Sequence, residues 1–351
     1  MIDRRAVLKA AGALGTLAAG AGTPGQARGE ARGLMHPERL EAYVLPPVTT
    51  AAIEGGKATY ALAGPANGPL VLYFHGWGDD YRVVLPLEYG LTDAGFRLLV
   101  PHRPGYAGTT LDWVKAGKTL AWRTASDTAD VAARLLDQFQ GQSSRPVAVI
   151  GMSGGAPAAL AFASRHPART AALLIQAGVT RPWTDVKYVP ELLRGEYATA
   201  FEKFGWVGDR VSQAMFGLLV KLRENFFSDE DKVKALAGAR LADAKQDPAY
   251  QAVIARILRE DAANRAGELN DALSIFFSKS EYCDWAKIEA PTLLIHDEKD
   301  PFVPVLHAQE ATGRLRTAIL RTFELGGHII WLGREARLMH EARVQFLKRA
   351  S

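Results

Sequence analysis

The sequence predicts an α/β protein: a mostly parallel sheet with helices on both faces and a helical insertion. Three observations carry that expectation. Apolar runs of strand length recur along the chain, segments of helical period separate most of them, and one gap of more than a hundred residues interrupts the alternation. Strands covered on both faces read as unbroken apolar runs, and strands alternating with helices assemble into a parallel sheet.

In chain order, "KATYALAG" (57–64) and "PLVLYFHG" (69–76) read as strands, the first part exposed and the second a continuous apolar run. The stretch Gly64-Pro65-Ala66-Asn67-Gly68 reads as a hairpin-like turn between them. "FRLLVP" (96–101), "PVAVIGM" (146–152), "AALLIQAG" (171–178), "PTLLIHD" (291–297) and "TAILRTFEL" (317–325) repeat the buried-strand pattern. Helical period marks 119–139, 154–166 and 335–349. Between 178 and 291 the pattern is helical with no comparable strand, as in "QAVIARILREDAANRAGELNDALSIFFSK". A connection that long must carry its own structure, here a mainly helical insertion over one sheet edge. The expected division is a leader at 1–27, a core at 28–179 and 287–351, and a helical cap at 180–286.

With 351 residues, 48% of them hydrophobic, the chain can bury a sizeable core. Its formal charge is +4, and residues 1–27 hold Arg4, Arg5 and Lys9 against Asp3, which leaves +2 for the remainder. No basic stripe with interleaved aromatics appears, so no nucleic-acid partner is expected. Cys283, the single cysteine, excludes an internal disulfide and reads as a small apolar filler. The first residues, "MIDRRAVLKAAGALGTLAAGAGTPGQA", combine paired arginines with a weakly apolar stretch and small residues suited to cleavage near Ala21 or Ala27. They resemble a twin-arginine export signal, which implies folding in the cytoplasm, passage through the twin-arginine machinery, and release to the periplasm or beyond. Their low hydrophobicity argues against a permanent membrane span.

The chemistry concentrates where apolar runs end. Ser153, in "VAVIGMSGGAPAAL", follows a buried strand directly and precedes a helix rich in small residues. Gly151 and Gly155 permit the backbone crowding of a sharp strand-to-helix turn, which lifts the hydroxyl above the sheet's carboxyl end. The Gly154 amide then sits at a helix N-terminus suited to developing negative charge, and the Trp77 amide after His75-Gly76 is the candidate second donor. His75 itself reads as a loop-holding histidine. A serine hydroxyl needs a base, and that base needs an orienting group. His328 follows the last strand after Gly326-Gly327, whereas His36 falls in the leader region, His166, His340 and His307 on helical stretches. For the acid, "PTLLIHDEKDPFVP" gives Asp300 in a proline-bounded turn, with Asp297 the alternative.

With "HGW", "HRPGYAGT" (102–109), "GMSGG", "DPFVP" and "GGH" in this order, the chain resembles an α/β-hydrolase-fold serine hydrolase with a helical cap over residues 57–349. Two departures are His102, where the family commonly has aspartate, and His296-Asp297 in place of a more usual His-Gly. The resemblance implies attack by Ser153 on a carbonyl, His328 as base, Asp300 holding its tautomer, and an oxyanion hole of the Trp77 and Gly154 amides. It calls for no metal and no organic cofactor. The implied substrate is a small apolar acyl compound, first of all a carboxylic ester. Amide or carbon–carbon bond hydrolysis, perhydrolysis and non-catalytic ligand binding are the alternatives. Aromatics of the insertion such as Trp183, Trp206, Phe227, Phe276 and Trp285 are candidates for packing or for an apolar acyl site.

Overall fold

The computed structural model describes residues 34–53, 56–110, 113–115, 118–120, 124–139, 145–182, 233, 236–261, 265–271 and 281–350. The expected leader lies outside them, as do Trp183, Trp206, Phe227 and Phe276. The strands are β1 (Thr49–Ile53), β2 (Gly56–Ala63), β3 (Leu70–Phe74), β4 (Arg97–Pro101), β5 (Trp113–Lys115), β6 (Lys118–Leu120), β7 (Val147–Met152), β8 (Thr170–Gln176), β9 (Thr292–His296) and β10 (Ala318–Thr322). The helices are α1 (Pro37–Glu41), α2 (Tyr81–Leu87), α3 (Tyr89–Asp93), α4 (Ala125–Asp137), α5 (Ala156–Arg165), α6 (Leu241–Gln246), α7 (Pro248–Asp261), α8 (Arg265–Asp271), α9 (Leu306–Arg314) and α10 (Ala336–Arg349).

Eight strands form one sheet in the order β1-β2-β4-β3-β7-β8-β9-β10, while β5 and β6 make a separate antiparallel pair. β1 and β2 run antiparallel to their neighbours, and from β4 onward every pairing is parallel. The hairpin expected between β2 and β3 does not form, because β4 lies between them. β3 is buried at every position and takes a central place, whereas β2 is half-exposed at its ends. The intervening turn, closed by the Gly68 amide on the Pro65 carbonyl at 3.0 Å, carries the chain past the start of β4, where the Arg97 amide donates to the Pro69 carbonyl at 2.9 Å. β1 escaped the sequence reading for a related reason: its TTAAI run is mostly exposed and lacks an apolar signature. The helix expected over 119–139 starts later, at Ala125. A reciprocal Thr124–Asp127 capping box fixes that start, and Lys118–Leu120 is strand instead.

Alternation along the strands splits the interior into two layers. Val71, Tyr73, Ile150, Leu174 and Ile295 face one side, where they meet residues of α2, α7 and α10. Leu72, Phe74, Val149, Leu173 and Leu294 face the other, against α4, α5 and α9. Two buried faces explain why β3, β4, β7, β8 and β9 read as continuous apolar runs. β10, expected from "TAILRTFEL" to be buried as well, is the edge strand of the sheet, and all five of its residues are exposed or half-buried. Among the described residues no helix is long and apolar enough to cross a membrane.

One polar cluster interrupts the first layer. Arg343 on α10 reaches in to pair with Glu88 through two contacts of 2.9 Å and donates to Gln176 Oε1 at 2.9 Å; the Tyr73 hydroxyl donates to Glu88 at 2.9 Å. These side chains are wholly buried, so removing one charge strands the other without solvent. Arg343→Met is expected to lower unfolding free energy by about 3–5 kcal/mol in urea titration, and the added change Glu88→Gln is expected to recover a large part of the loss.

Candidate active site

β7 ends at Met152 and α5 begins at Ala156, leaving three residues for the reversal. Ser153 adopts φ +50°, a left-handed conformation costly for a residue with a side chain. Its neighbours make the crowding tolerable. A Cβ at Gly151 would lie 2.7 Å from the Ala159 Cβ, and one at Gly155 would run into the carbonyl oxygens of Phe74 and His75 on β3 and the loop after it. The Ser153 carbonyl accepts from the Val179 amide at 3.0 Å, which ties the turn to the segment beyond β8.

The loops that follow β9 and β10 converge on this turn. Asp300 Oδ1 accepts the amides of Phe302 and Val303 at 2.8 and 2.9 Å, and its Oδ2 accepts from His328 Nδ1 at 2.8 Å. With its Nδ1 proton directed at the carboxylate, His328 leaves Nε2 to accept, and the Ser153 hydroxyl donates to it at 2.8 Å. Burial alone would raise the Asp300 pKa, but the His328 and His296 imidazoles beside it outweigh that effect and hold the carboxyl well below the usual range. The structure therefore brings Ser153, His328 and Asp300 together, all three buried. His296 Nε2 donates to the Val303 carbonyl at 2.7 Å and lies 3.5 Å from Asp300 Oδ2.

Asp297, the alternative acid, has a different task. Its Oδ2 accepts the amides of Leu325 and Gly327 at 3.0 and 3.1 Å, and its Oδ1 the Lys299 amide at 2.8 Å. It braces the backbone that presents His328 without touching the ring. The insertion contributes to the same loop, since the Leu236 carbonyl accepts from the His328 amide at 3.0 Å. The Phe302 ring lies 5.1 Å from His328, and Trp77 stacks on Phe302 at 6.2 Å. Trp285 belongs elsewhere: it packs on the second core layer and bonds Glu281.

The glycine loop after β3 borders the serine, because a Cβ at Gly76 would come within 3.5 Å of the Ser153 Cβ. His75 holds this loop, as its sequence context suggested, through Gly76 O at 3.0 Å and the Arg103 amide at 3.1 Å. His102 bonds Thr59 at 2.8 Å, and His307 accepts the Thr180 amide at 3.2 Å. Gly154 lies within the short turn Ser153–Gly155, at the head of α5. Sequence reasoning missed Arg103, Tyr106 and Asp271, a buried cluster against the same loop. The "HRPGYAGT" stretch after β4 holds Arg103 and Tyr106, but nothing in it assigned them this task or pointed to Asp271.

A mostly parallel sheet with a serine at a strand-to-helix turn on its carboxyl edge defines a hydrolase of the α/β type. The chain belongs to the alpha/beta hydrolase family, whose model matches residues 71–341. It is 28% identical over 300 residues to the uncharacterized hydrolase YcgS of Bacillus subtilis (strain 168), which spans 82% of this chain and 94% of that protein. An alpha/beta hydrolase fold protein from Nakamurella multipartita superimposes with a TM-score of 0.63 at 23% identity, over 87% of this chain and 100% of that one. A thermophilic esterase from Thermogutta terrifontis gives a TM-score of 0.56 at 18% identity, over 88% and 99%. The two structural likenesses show the fold.

Burial lowers the pKa of three histidines around the site: His102 to about 4, His307 to about 3, and His75 well below its ordinary value. An unfolded chain protonates these rings near 6.5, so between the folded and unfolded values the unfolded state binds more protons and stability rises with pH. Urea unfolding is expected to show a plateau above about pH 7 and a progressive loss below about 6.5; equal stability at about pH 7.5 and about pH 5 would contradict it.

Proposed function

We propose that the protein is a serine hydrolase that cleaves a carboxylic ester through an acyl-enzyme. The observation that carries the reading is the unbroken hydrogen-bonded series from Ser153 through His328 to Asp300, each link 2.8 Å. His328 Nε2 takes the hydroxyl proton as Oγ attacks the ester carbonyl, and Asp300 stabilises the imidazolium that forms. The Trp77 and Gly154 amides hold the oxyanion. Collapse expels the alcohol, which leaves with the proton from His328, and water then repeats the sequence to release the acid.

We read residues 180–286 as the helical cap that lines the acyl site, and the substrate as a small to medium apolar acyl ester. The Leu236 contact with the His328 amide supports a role for this stretch at the site. The leader, with Arg4-Arg5 ahead of its weakly apolar run, supports export through the twin-arginine route to the periplasm or beyond.

A fluorophosphonate probe should label the wild-type protein and leave Ser153→Ala unlabelled. On nitrophenyl esters of graded chain length, Ser153→Ala is expected to lower kcat by at least about 10⁴-fold. Turnover of anilides with esters ignored would overturn the ester assignment, and an unlabelled wild type would overturn the nucleophile.

A further inference from the structure

Arg103 lies two residues past the end of β4 and is 1% exposed. Its Nη2 donates to the Gly76 carbonyl oxygen at 2.7 Å, and its Nη1 donates to Asp271 Oδ2 at 2.6 Å. Its own backbone amide donates to His75 Nε2 at 3.1 Å, which fixes that ring's tautomer: the proton is on Nδ1, and Nδ1 donates to the same Gly76 oxygen at 3.0 Å. One carbonyl thus receives two N–H groups. The peptide that follows is planar and trans, so the Trp77 N–H points opposite to that carbonyl and its direction is set by the same two donors.

Helix α8 meets this loop at several points. The Tyr106 hydroxyl donates to Asp271 Oδ2 at 2.6 Å and accepts the Gly78 amide at 3.3 Å. The Trp77 indole donates to the Glu268 carbonyl at 3.1 Å, and Gly267 lies so close to the Tyr106 ring that a side chain there would collide with it. Arg103 and Asp271 are both about solvent-free, and burial works against the guanidinium charge until the adjoining carboxylate restores it, leaving its pKa above the ordinary value. A well-packed apolar pair would stabilise such a spot as well as an ion pair does. What an apolar pair lacks is a donor for the Gly76 oxygen.

We infer that Arg103 is a positioning residue for the Trp77 amide, and that Asp271 on α8 holds Arg103 to that task, so that seating of α8 governs oxyanion stabilisation at Ser153. The inference rests on the Ser153 reading above and adds to it a coupling between the insertion and the loop after β3.

The test compares wild type with Asp271→Asn, Arg103→Lys and the double variant Arg103→Met/Asp271→Leu, which removes both buried charges and protects the fold. On a nitrophenyl ester, each is expected to lose about tenfold to a hundredfold in kcat with KM changed by less than about twofold. Affinity for an alkylboronic acid, which mimics the tetrahedral anion on Ser153, should fall in parallel with kcat. The double variant should melt at or above the wild-type temperature and still be slow, a combination that a purely structural role would not give. A double variant with wild-type kcat, or a change confined to KM, overturns the Arg103 assignment and leaves the nucleophile standing. Wild-type protein inert to both fluorophosphonate and ester overturns both.

Discussion

β7 can reverse into α5 within three residues only because nothing projects from the α-carbons at 151 and 155. The close approach of β3 to the turn follows from that space, and so does the left-handed Ser153 backbone that lifts the hydroxyl off the strand axis. The remaining site geometry depends on this reversal. Because β4, β3, β7, β8, β9 and β10 pair in parallel, the loops after β3, β7, β9 and β10 all open on one edge of the sheet. The acid turn and the histidine turn therefore arrive beside the serine without a dedicated scaffold, and each needs only local bracing. Asp300 is braced by two amides, and the His328 loop by the Asp297 carboxylate and the Leu236 carbonyl.

Two buried ion pairs serve different ends. Arg343 and Glu88 sit inside the first core layer with Tyr73 and Gln176, and they join α10 to β3 and β8. Arg103 and Asp271 sit at the sheet's working edge and end on a backbone carbonyl rather than on another side chain. Dehydrating a charge costs more than most single contacts return, so such pairs persist where directionality matters more than adhesion. The fork of a guanidinium, with donors at fixed angles, suits both positions.

Much of the fold was legible because both faces of the sheet are covered, which writes β3, β4, β7, β8 and β9 as unbroken apolar runs. β1 left no such mark, since four of its five residues face outward or lie half out. The adjacency of β2 and β3 was misjudged because a turn of Gly, Pro and Asn looks the same whether its strands pair directly or straddle a third. Ser153, His328 and Asp300 stood out because each follows the end of an apolar run. The proline-bounded turn favoured Asp300 over Asp297, but spacing left the second open: both follow the same strand, and the direction of the carboxylate separates an imidazole contact from a backbone one. Arg103 and Asp271 are 168 residues apart, and nothing local to either announces the other.

The separation in sequence has a kinetic side. Ser153 and His328 stand 175 positions apart, and the strands from the one to the other, β7, β8, β9 and β10, pair in parallel across crossovers rather than hairpins. Ordering of that kind is entropically slow, since distant segments must meet before any contact rewards them. The hydrogen bond between the Ser153 hydroxyl and His328 can form only when the loop after β10 lies beside the turn after β7. A chain halted midway, or one whose β9–β10 unit has come away, holds the serine without its imidazole partner.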